Sequence, residues 1–90
     1  LLERVLFRLT ARRGTFPFLP ELGSRLWQLG QLPAARRQSA AEQYVAEALA
    51  AEPGLTVEQV VLAESGGGRA QVTASLTWRG EALSVTVEVS

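Results

Sequence analysis

The sequence predicts an α+β fold, with N-terminal helices packed on a C-terminal three-stranded antiparallel sheet. Two patterns support this prediction. Apolar residues recur every three or four positions in the first half of the chain, as on one face of a helix. After Gly54 they alternate with polar residues, which is typical of strands with one wet face. We therefore expect a single domain over residues 1–90, helical over 1–53 and a sheet over 55–90, with residues missing at one or both ends.

Residues 2–9 predict the first helix. Their apolar positions follow the spacing of an amphipathic helix and are Leu2, Val5, Leu6 and Leu9. We expect Gly14 to end this segment, with Arg12 and Arg13 in the last turn, where cations suit the helix dipole.

Residues 15–20 predict an extended linker, because Pro17 and Pro20 push the residues before them toward extended geometry. Phe16 and Phe18 would be costly to expose, so we expect them to dock on the core or on a neighbouring molecule. Together with Trp27 they are interpreted as core residues rather than as a binding site.

Two further helices are predicted. A short one covers about residues 22–29, and Pro33 blocks its continuation. The next begins at Ser39, which is followed three residues later by Glu, the spacing of a capping box. It ends at Pro53 and Gly54. Its predicted buried stripe consists of Ala41, Val45, Ala48 and Leu49, with Tyr44 beside it.

Three strands follow, over residues 55–63, about 70–78 and about 83–89, joined by Gly-containing turns. The last strand has no Pro or Lys, and Glu88 is its one charged residue to discourage pairing with another strand. As a sheet edge it would therefore accept a strand from another chain. Alternatively, residues missing beyond it cover it. In the first case the core-facing residues whose backbone takes the partner strand are Leu83, Val85, Val87 and Val89.

The composition excludes several kinds of site. Cys, His, Asp and Lys are absent, so a Ser–His–Asp or Cys–His nucleophile is impossible and a structural zinc site is not expected. A glycosidase pair of Glu remains conceivable, but the Glu residues fall on solvated helix positions and beside turns. We predict no enzyme activity, cofactor, metal or small-molecule substrate. No membrane association is predicted, because no apolar run approaches about 20 residues.

Charge is unevenly distributed along a chain whose net charge is zero. Residues 1–37 carry seven Arg and two Glu, whereas residues 38–90 carry seven Glu and two Arg. This reflects either a general preference for Arg or a polarised surface for ordered assembly. The basic face predicted to meet partners consists of Arg8, Arg12, Arg13, Arg36 and Arg37. Such a stripe can contact nucleic-acid phosphates, but the acidic second half, the zero net charge and the absence of Lys favour a solvated face or an acidic protein partner.

The order of these features resembles the baseplate wedge family of contractile phage tails, whose members are also called sheath initiators. That family has a helix ending in LT-x-x-G, a Pro-flanked turn into FG-x-x-L, a helix ending near a Glu-Pro pair, and a strand-rich tail. The corresponding residues of this chain are Leu9, Thr10, Arg13, Gly14, Pro20, Leu22, Gly23, Leu26, Val45, Ala48, Leu49, Glu52, Pro53, Val57 and Val60. The stretch from Arg13 to Leu26 is similar to Mu-like tail members. Two departures stand out: Leu22 replaces the family's Phe, and Gly54 replaces the Arg of secretion-system members, which favours a phage tail or phage-derived particle.

The resemblance implies a structural protein that joins the wedge to the hub and tube and templates the first sheath ring by sharing strands. Its implied partners are the sheath protein, other baseplate wedge proteins and hub or tube proteins, with multiple copies in a large assembly. It would assemble in the bacterial cytoplasm and then form part of a virion or phage tail-like particle. The residues at its motif corners are Gly14, Gly23, Glu52 and Pro53, of which the last two would fix the helix-to-sheet corner. The alternative hypothesis is an Arg-mediated nucleic-acid-binding or general adaptor domain.

Overall fold

The computed structural model describes residues 1–67 and 69–89, and it has the predicted α+β architecture. Two α-helices and a 3₁₀ helix precede three antiparallel strands. Gly68 of the first predicted turn, and Ser90, lie outside the described residues. None of the described helices is both long and apolar enough to cross a membrane.

Helix α1, Leu2–Thr10, follows the predicted apolar stripe and buries Val5 and Leu9. It ends at Thr10 rather than at the predicted Gly14, and Ala11 already has an extended backbone. Arg12 and Arg13 therefore lie beyond the helix, so the prediction that they occupy its last turn is wrong. The physical reason is that this stretch pairs with a second extended stretch of the chain, described below.

The linker at residues 15–20 is a series of turns, held by a hydrogen bond from Leu19 N to Phe16 O at 3.0 Å. The side chain of Phe18 is 95% exposed, so it does not dock on the core of this chain. Phe16 is half-buried, and its ring centroid lies 6.1 Å from that of Phe7. The linker thus presents two large apolar side chains to solvent, those of Phe18 and Leu19.

The short helix predicted at about residues 22–29 is the 3₁₀ helix Leu26–Gln31, which begins four residues later than predicted. Leu26 and Leu29, three residues apart, are both buried. That spacing fits the three residues per turn of a 3₁₀ helix as well as it fits an α-helix, so the apolar pattern does not distinguish the two helix types.

Helix α2, Ala34–Leu49, begins before Ser39, so the predicted capping box does not form. Pro33 occupies the cap position with φ of −58°. A proline ring fits a helix start, where the missing N–H has no role in the helix and φ is already suitable. The predicted stripe is confirmed, and the buried residues of α2 are Ala41, Tyr44, Val45, Ala48 and Leu49.

The sheet contains β1 (Leu55–Glu64), β2 (Ala70–Trp78) and β3 (Glu81–Val89) in the spatial order β1-β2-β3. Arg79 and Gly80 join the last two strands with φ of 51° and 81°, as in a two-residue type I′ turn. This turn fixes the β2–β3 register, which sets Val72 opposite Val87. The inner face meets the helices in one core, while the outer face carries Thr, Ser and Gln side chains.

A backbone clasp joins the end of α1 to the entry of the 3₁₀ helix. Ser24 N donates to Ala11 O at 2.8 Å, and Arg13 N donates to Ser24 O at 3.0 Å. The buried Ser24 hydroxyl also donates to Leu9 O at 2.6 Å. Gly23 is needed here, because its φ is 100° and an added Cβ would lie 2.6 Å from Ala11 O.

Replacing Gly23 with Ala is expected to destabilise the chain by about 3 kcal/mol, since the methyl group meets backbone atoms that cannot move without breaking the clasp. Gly14→Ala is the matched control: Gly14 has φ of 89°, but an added Cβ meets no atom within 4 Å. It should cost only about 1 kcal/mol. Urea unfolding measures both, and equal losses would show that the close approach at Gly23 does not matter.

Candidate functional site

The predicted partner strand, β3, lies at one edge of the sheet. Val85 and Val87 are buried, and Leu83 and Val89 are partly buried against the same core. These four side chains therefore form the inner face of β3, as the alternation predicts. That they also make the partner contact stays a prediction.

The backbone groups that are open at the β3 edge belong to the residues that alternate with these four inward-facing residues. A two-residue hairpin turn makes Trp78 and Glu81 a hydrogen-bonded pair, and bonded pairs recur at every second position. The N–H and C=O of Val85 and Val87 consequently point toward β2. Those of Ala82, Ser84, Thr86 and Glu88 point away from the sheet, where the described residues provide no hydrogen-bond partner.

The opposite edge of the sheet, along β1, is capped at its middle by a side chain of α2. Gln38 Nε2 donates to Val60 O at 2.6 Å, and Leu62 N donates to Gln38 Oε1 at 2.9 Å. The amide group thus takes the place that a neighbouring strand's peptide group would occupy. Val60 and Leu62 lie opposite Ala74 and Val72, whose backbone groups point toward β3. The backbone groups of Val60 and Leu62 therefore point away from β2, which agrees with the hydrogen-bonding pattern inferred for β3.

Glu52, at the predicted helix-to-sheet corner, is buried and holds two Arg of α1. Its carboxylate accepts hydrogen bonds from Arg4 Nε at 3.1 Å, Arg4 Nη2 at 3.3 Å and Arg8 Nε at 3.0 Å. Its backbone N–H donates to Leu49 O at 3.1 Å, in the turn that follows α2. Glu52 therefore ties α1 to the start of the sheet, while Pro53 beside it is exposed.

The two guanidinium groups determine the protonation state of Glu52. The hydrogen bond from Arg4, together with that from Arg8 and their positive charges, lowers the pKa of the Glu52 carboxyl against the opposing effect of burial. The same contact raises the pKa of Arg4. A lowered pKa favours the ionised carboxylate, whereas a general acid needs a raised one.

Three residues of the predicted basic face form ion pairs within the chain. Arg8 belongs to the Glu52 cluster described above. Arg37 donates to Glu64 at 2.6 Å and to a backbone oxygen, and Arg13 lies 3.8 Å from Glu47. These residues are therefore not a stripe of free cations, and their predicted contact with an acidic partner stays a prediction.

The other two residues of that set differ from each other. The Arg12 guanidinium lies 4.9 Å from the ring centroid of Trp27, a cation–π distance. Arg36 is exposed on α2. Neither makes an ion pair with a residue in the described part of the chain. Among these described residues there is also no group of three or more potential metal ligands.

The motif glycines lie on either side of the clasp. Gly14 follows the strand-like stretch at residues 11–13, and Gly23 precedes Ser24, which pairs with that stretch. The two motifs that are separate in the sequence are thus parts of one structural unit. Pro20 lies in the exposed linker that connects them.

Sequence reasoning missed Gln38, Ser24 and Arg25. Arg25 forms a two-point contact with Glu47, at 2.9 and 3.1 Å, which raises the pKa of Arg25. Its guanidinium also lies 4.7 Å from the ring of Tyr44. No local pattern predicts any of these, since each contact joins residues 15 or more positions apart. The one signal in the sequence was the residue type, because an Arg or Gln side chain can make two hydrogen bonds at once.

Comparison with known proteins adds a fold but no family. The chain matches no protein-family model and no curated protein. Among solved structures it resembles a crystal structure from Geobacter sulfurreducens of a protein provisionally named a tail lysozyme. The TM-score is 0.75 at 19% sequence identity, over 96% of this chain and 83% of that one. At this identity the match shows that the two chains share a fold.

Replacing Glu52 with Gln is expected to reduce the acid sensitivity of the fold. The folded-state pKa of Glu52 lies below its ordinary value of 4.5, so its contribution is present above pH 4.5 and is lost as the pH falls through the lowered value. The variant should be less stable at pH 7, by about 1–3 kcal/mol, and should lose less stability below pH 4.5.

Urea unfolding at pH 7, 4.5 and 3 measures this difference. Glu81→Gln, at the exposed β2–β3 turn, controls for removing one carboxylate from the chain. Parallel stability curves for the wild type and the Glu52 variant would contradict the assignment of the ion cluster.

Proposed function

We propose that the protein is a non-catalytic assembly component of the baseplate of a contractile phage tail or related injection machine. It would join the wedge to the hub and tube, and it would template the first sheath ring by accepting a neighbouring subunit's strand at β3. The single observation that carries this proposal is the difference between the two sheet edges. At the β1 edge Gln38 bonds the Val60 C=O and the Leu62 N–H, whereas at the β3 edge no described residue bonds the outward backbone groups.

The edge difference matters because an open strand edge invites pairing, and proteins that do not use an edge usually block it. This chain blocks β1 with a side-chain amide that serves both a C=O and an N–H. The β3 edge has no Pro and no Lys, and its open groups run from Ala82 to Glu88. Selective blocking of one edge supports pairing at the other.

The contractile-tail setting is supported by two independent likenesses. The order of the motifs around Gly14, Gly23 and Glu52 resembles baseplate wedge proteins, and the fold resembles that of a protein named a tail lysozyme. Sheath, wedge and hub or tube proteins are accordingly the proposed partners, in a particle with several copies of this chain. The proposed location is the bacterial cytoplasm during assembly and the tail particle afterwards.

The name tail lysozyme raises the possibility of sugar hydrolysis, which needs a proton-donating carboxyl and a second carboxylate across a cleft. Glu52 is the buried carboxylate of this chain, and its contacts with Arg4 and Arg8 favour the ionised form. It accepts hydrogen bonds from the chain itself and is not poised to protonate a leaving group. This supports a non-catalytic role.

The rival hypothesis is nucleic-acid binding through the Arg-rich first half. Its strongest support is the exposed Arg36 together with Arg12. Against it, Arg8, Arg13 and Arg37 pair with Glu residues of the chain, which reduces the positive charge available to phosphates. Salt-dependent binding of DNA by a chain that remains monomeric among tail proteins would favour this rival.

Thr86→Pro is expected to block assembly without unfolding the chain. The Thr86 N–H points away from β2, so proline removes a donor that the free chain does not use. Thr86→Val is the matched control, because both variants lose the hydroxyl that lies 3.0 Å from that of Thr73 but only proline loses the N–H. Val85 and Val87 are unsuitable targets, since their buried side chains belong to the core.

Co-expression with the neighbouring tail genes, followed by size-exclusion chromatography and electron microscopy, measures incorporation into particles. Thr86→Val should incorporate at the base of the tube. Thr86→Pro should remain monomeric with an unchanged circular dichroism spectrum, its affinity reduced by about 10-fold or more. Normal incorporation of a folded Thr86→Pro chain would refute strand addition at β3.

A further inference from the structure

A groove runs beside the C-terminal half of the β3 edge. It has a volume of about 180 Å³ and lies between the end of α1, the 3₁₀ helix and the last residues of β3. Its helical wall includes Arg12 and Trp27, and its sheet wall includes Val87, Glu88 and Val89. A strand that pairs with β3 would enter this groove.

The helical wall of the groove offers hydrogen-bond donors and one positive charge. Arg12 is exposed, stacks on the Trp27 ring, and has no carboxylate partner in the described part of the chain. The Nε1–H of Trp27 is buried, and no described residue accepts a hydrogen bond from it. A buried donor without a partner costs about 1–3 kcal/mol, a cost that an acceptor would remove if it reached the ring edge.

The sheet wall of the groove has the opposite character. Glu88 is exposed on the outer face of β3, whereas Val87 and Val89 face inward on either side of it. An incoming strand also alternates, so its residue next to Val87 or Val89 meets Arg12 and Trp27, and the adjacent residue meets Glu88. The two walls therefore select for opposite charges at neighbouring positions of that strand.

We propose that the strand accepted by β3 carries an acidic residue on its inner side, against Arg12 and Trp27, directly next to a basic residue on its outer side, beside Glu88. The partner is an extended segment of another polypeptide chain with this pair of charges. The carboxylate draws the Arg12 guanidinium from the ring face and gives Trp27 Nε1–H an acceptor. This inference rests on the proposed strand addition and adds the rule by which a correct strand and register are chosen.

The charge rule explains how an edge that is otherwise permissive selects its partner. Main-chain hydrogen bonds attract any extended segment, whereas side-chain charges distinguish between segments and between registers. A slip by one residue moves the acidic residue to the outer face beside Glu88 and the basic residue toward Arg12, so both contacts become repulsive. A flat edge with neutral walls would lack this penalty.

Two synthetic peptides of identical composition test the rule on the full chain. Both have ten alternating Thr and Val residues that flank a central charged pair. In the matched peptide, Glu takes a Val position and the adjacent Thr position holds Lys; in the exchanged peptide, these two residues are swapped. Binding is followed by ¹⁵N–¹H NMR, through the backbone amides of β3 and the indole N–H signals of Trp27 and Trp78, which Trp27→Phe assigns.

The matched peptide should bind about 10-fold more tightly than the exchanged one and should shift the Trp27 indole proton, but not that of Trp78, downfield. Arg12→Glu should reverse the preference, a change that a merely structural role of Arg12 would not cause. Equal binding of both peptides to β3, with no shift at Trp27, would overturn the charge rule while leaving strand addition intact. Failure of both peptides to perturb the β3 amides would overturn strand addition itself, and the rule with it.

Discussion

A three-stranded sheet has two edges, and each edge is a row of backbone N–H and C=O groups that need hydrogen-bond partners. The rest of this structure depends on how that requirement is met. At β1 the amide of Gln38 bonds the Val60 C=O and the Leu62 N–H, so α2 packs on the sheet and also occupies part of its edge. At β3 no described residue bonds the corresponding groups. The two edges of the sheet therefore differ in how their backbone groups are met.

The helical layer must be held firmly if it is to line the open edge. In a small domain the core alone supplies little stability, and here two polar devices support it. The Glu52 cluster joins α1 to the turn before β1, and the clasp at Ser24 joins α1 to the 3₁₀ helix. Both act on α1, which lies over β3. They thereby fix the position of Arg12 and Trp27 beside that strand, although neither touches the edge itself.

The sequence predicts the parts of this fold that depend on local periodicity. The alternation in β2 and β3, the stripe on α2 and the inward direction of Val85 and Val87 all follow from it and agree with the structure. The errors have two sources. At α2 one local signal overrides another, because Pro33 starts the helix before the capping-box spacing at Ser39. At α1 a tertiary contact decides, because pairing with Ser24 ends the helix before Gly14.

The candidate site was predicted in part. The sequence indicates β3 as an adhesive strand, but it cannot reveal that Gln38 closes the other edge, because that contact joins positions 22 and 24 residues apart. It likewise suggests a basic face, whereas Glu52, Glu47 and Glu64 pair with three of the five Arg concerned. Long-range pairing of charges is invisible to composition, so the sequence could not show that three of these Arg also support the fold.

Amide hydrogen exchange in the isolated chain tests the edge difference most directly. If one edge is closed and the other open, the Leu62 amide exchanges slowly, as do those of Val85 and Val87, whereas those of Ser84 and Thr86 exchange rapidly within the same stable sheet. Gln38→Ala should release Leu62 alone and leave Val85 and Val87 protected. Slow exchange at Ser84 and Thr86, or fast exchange at Leu62 in the unchanged chain, would contradict the account.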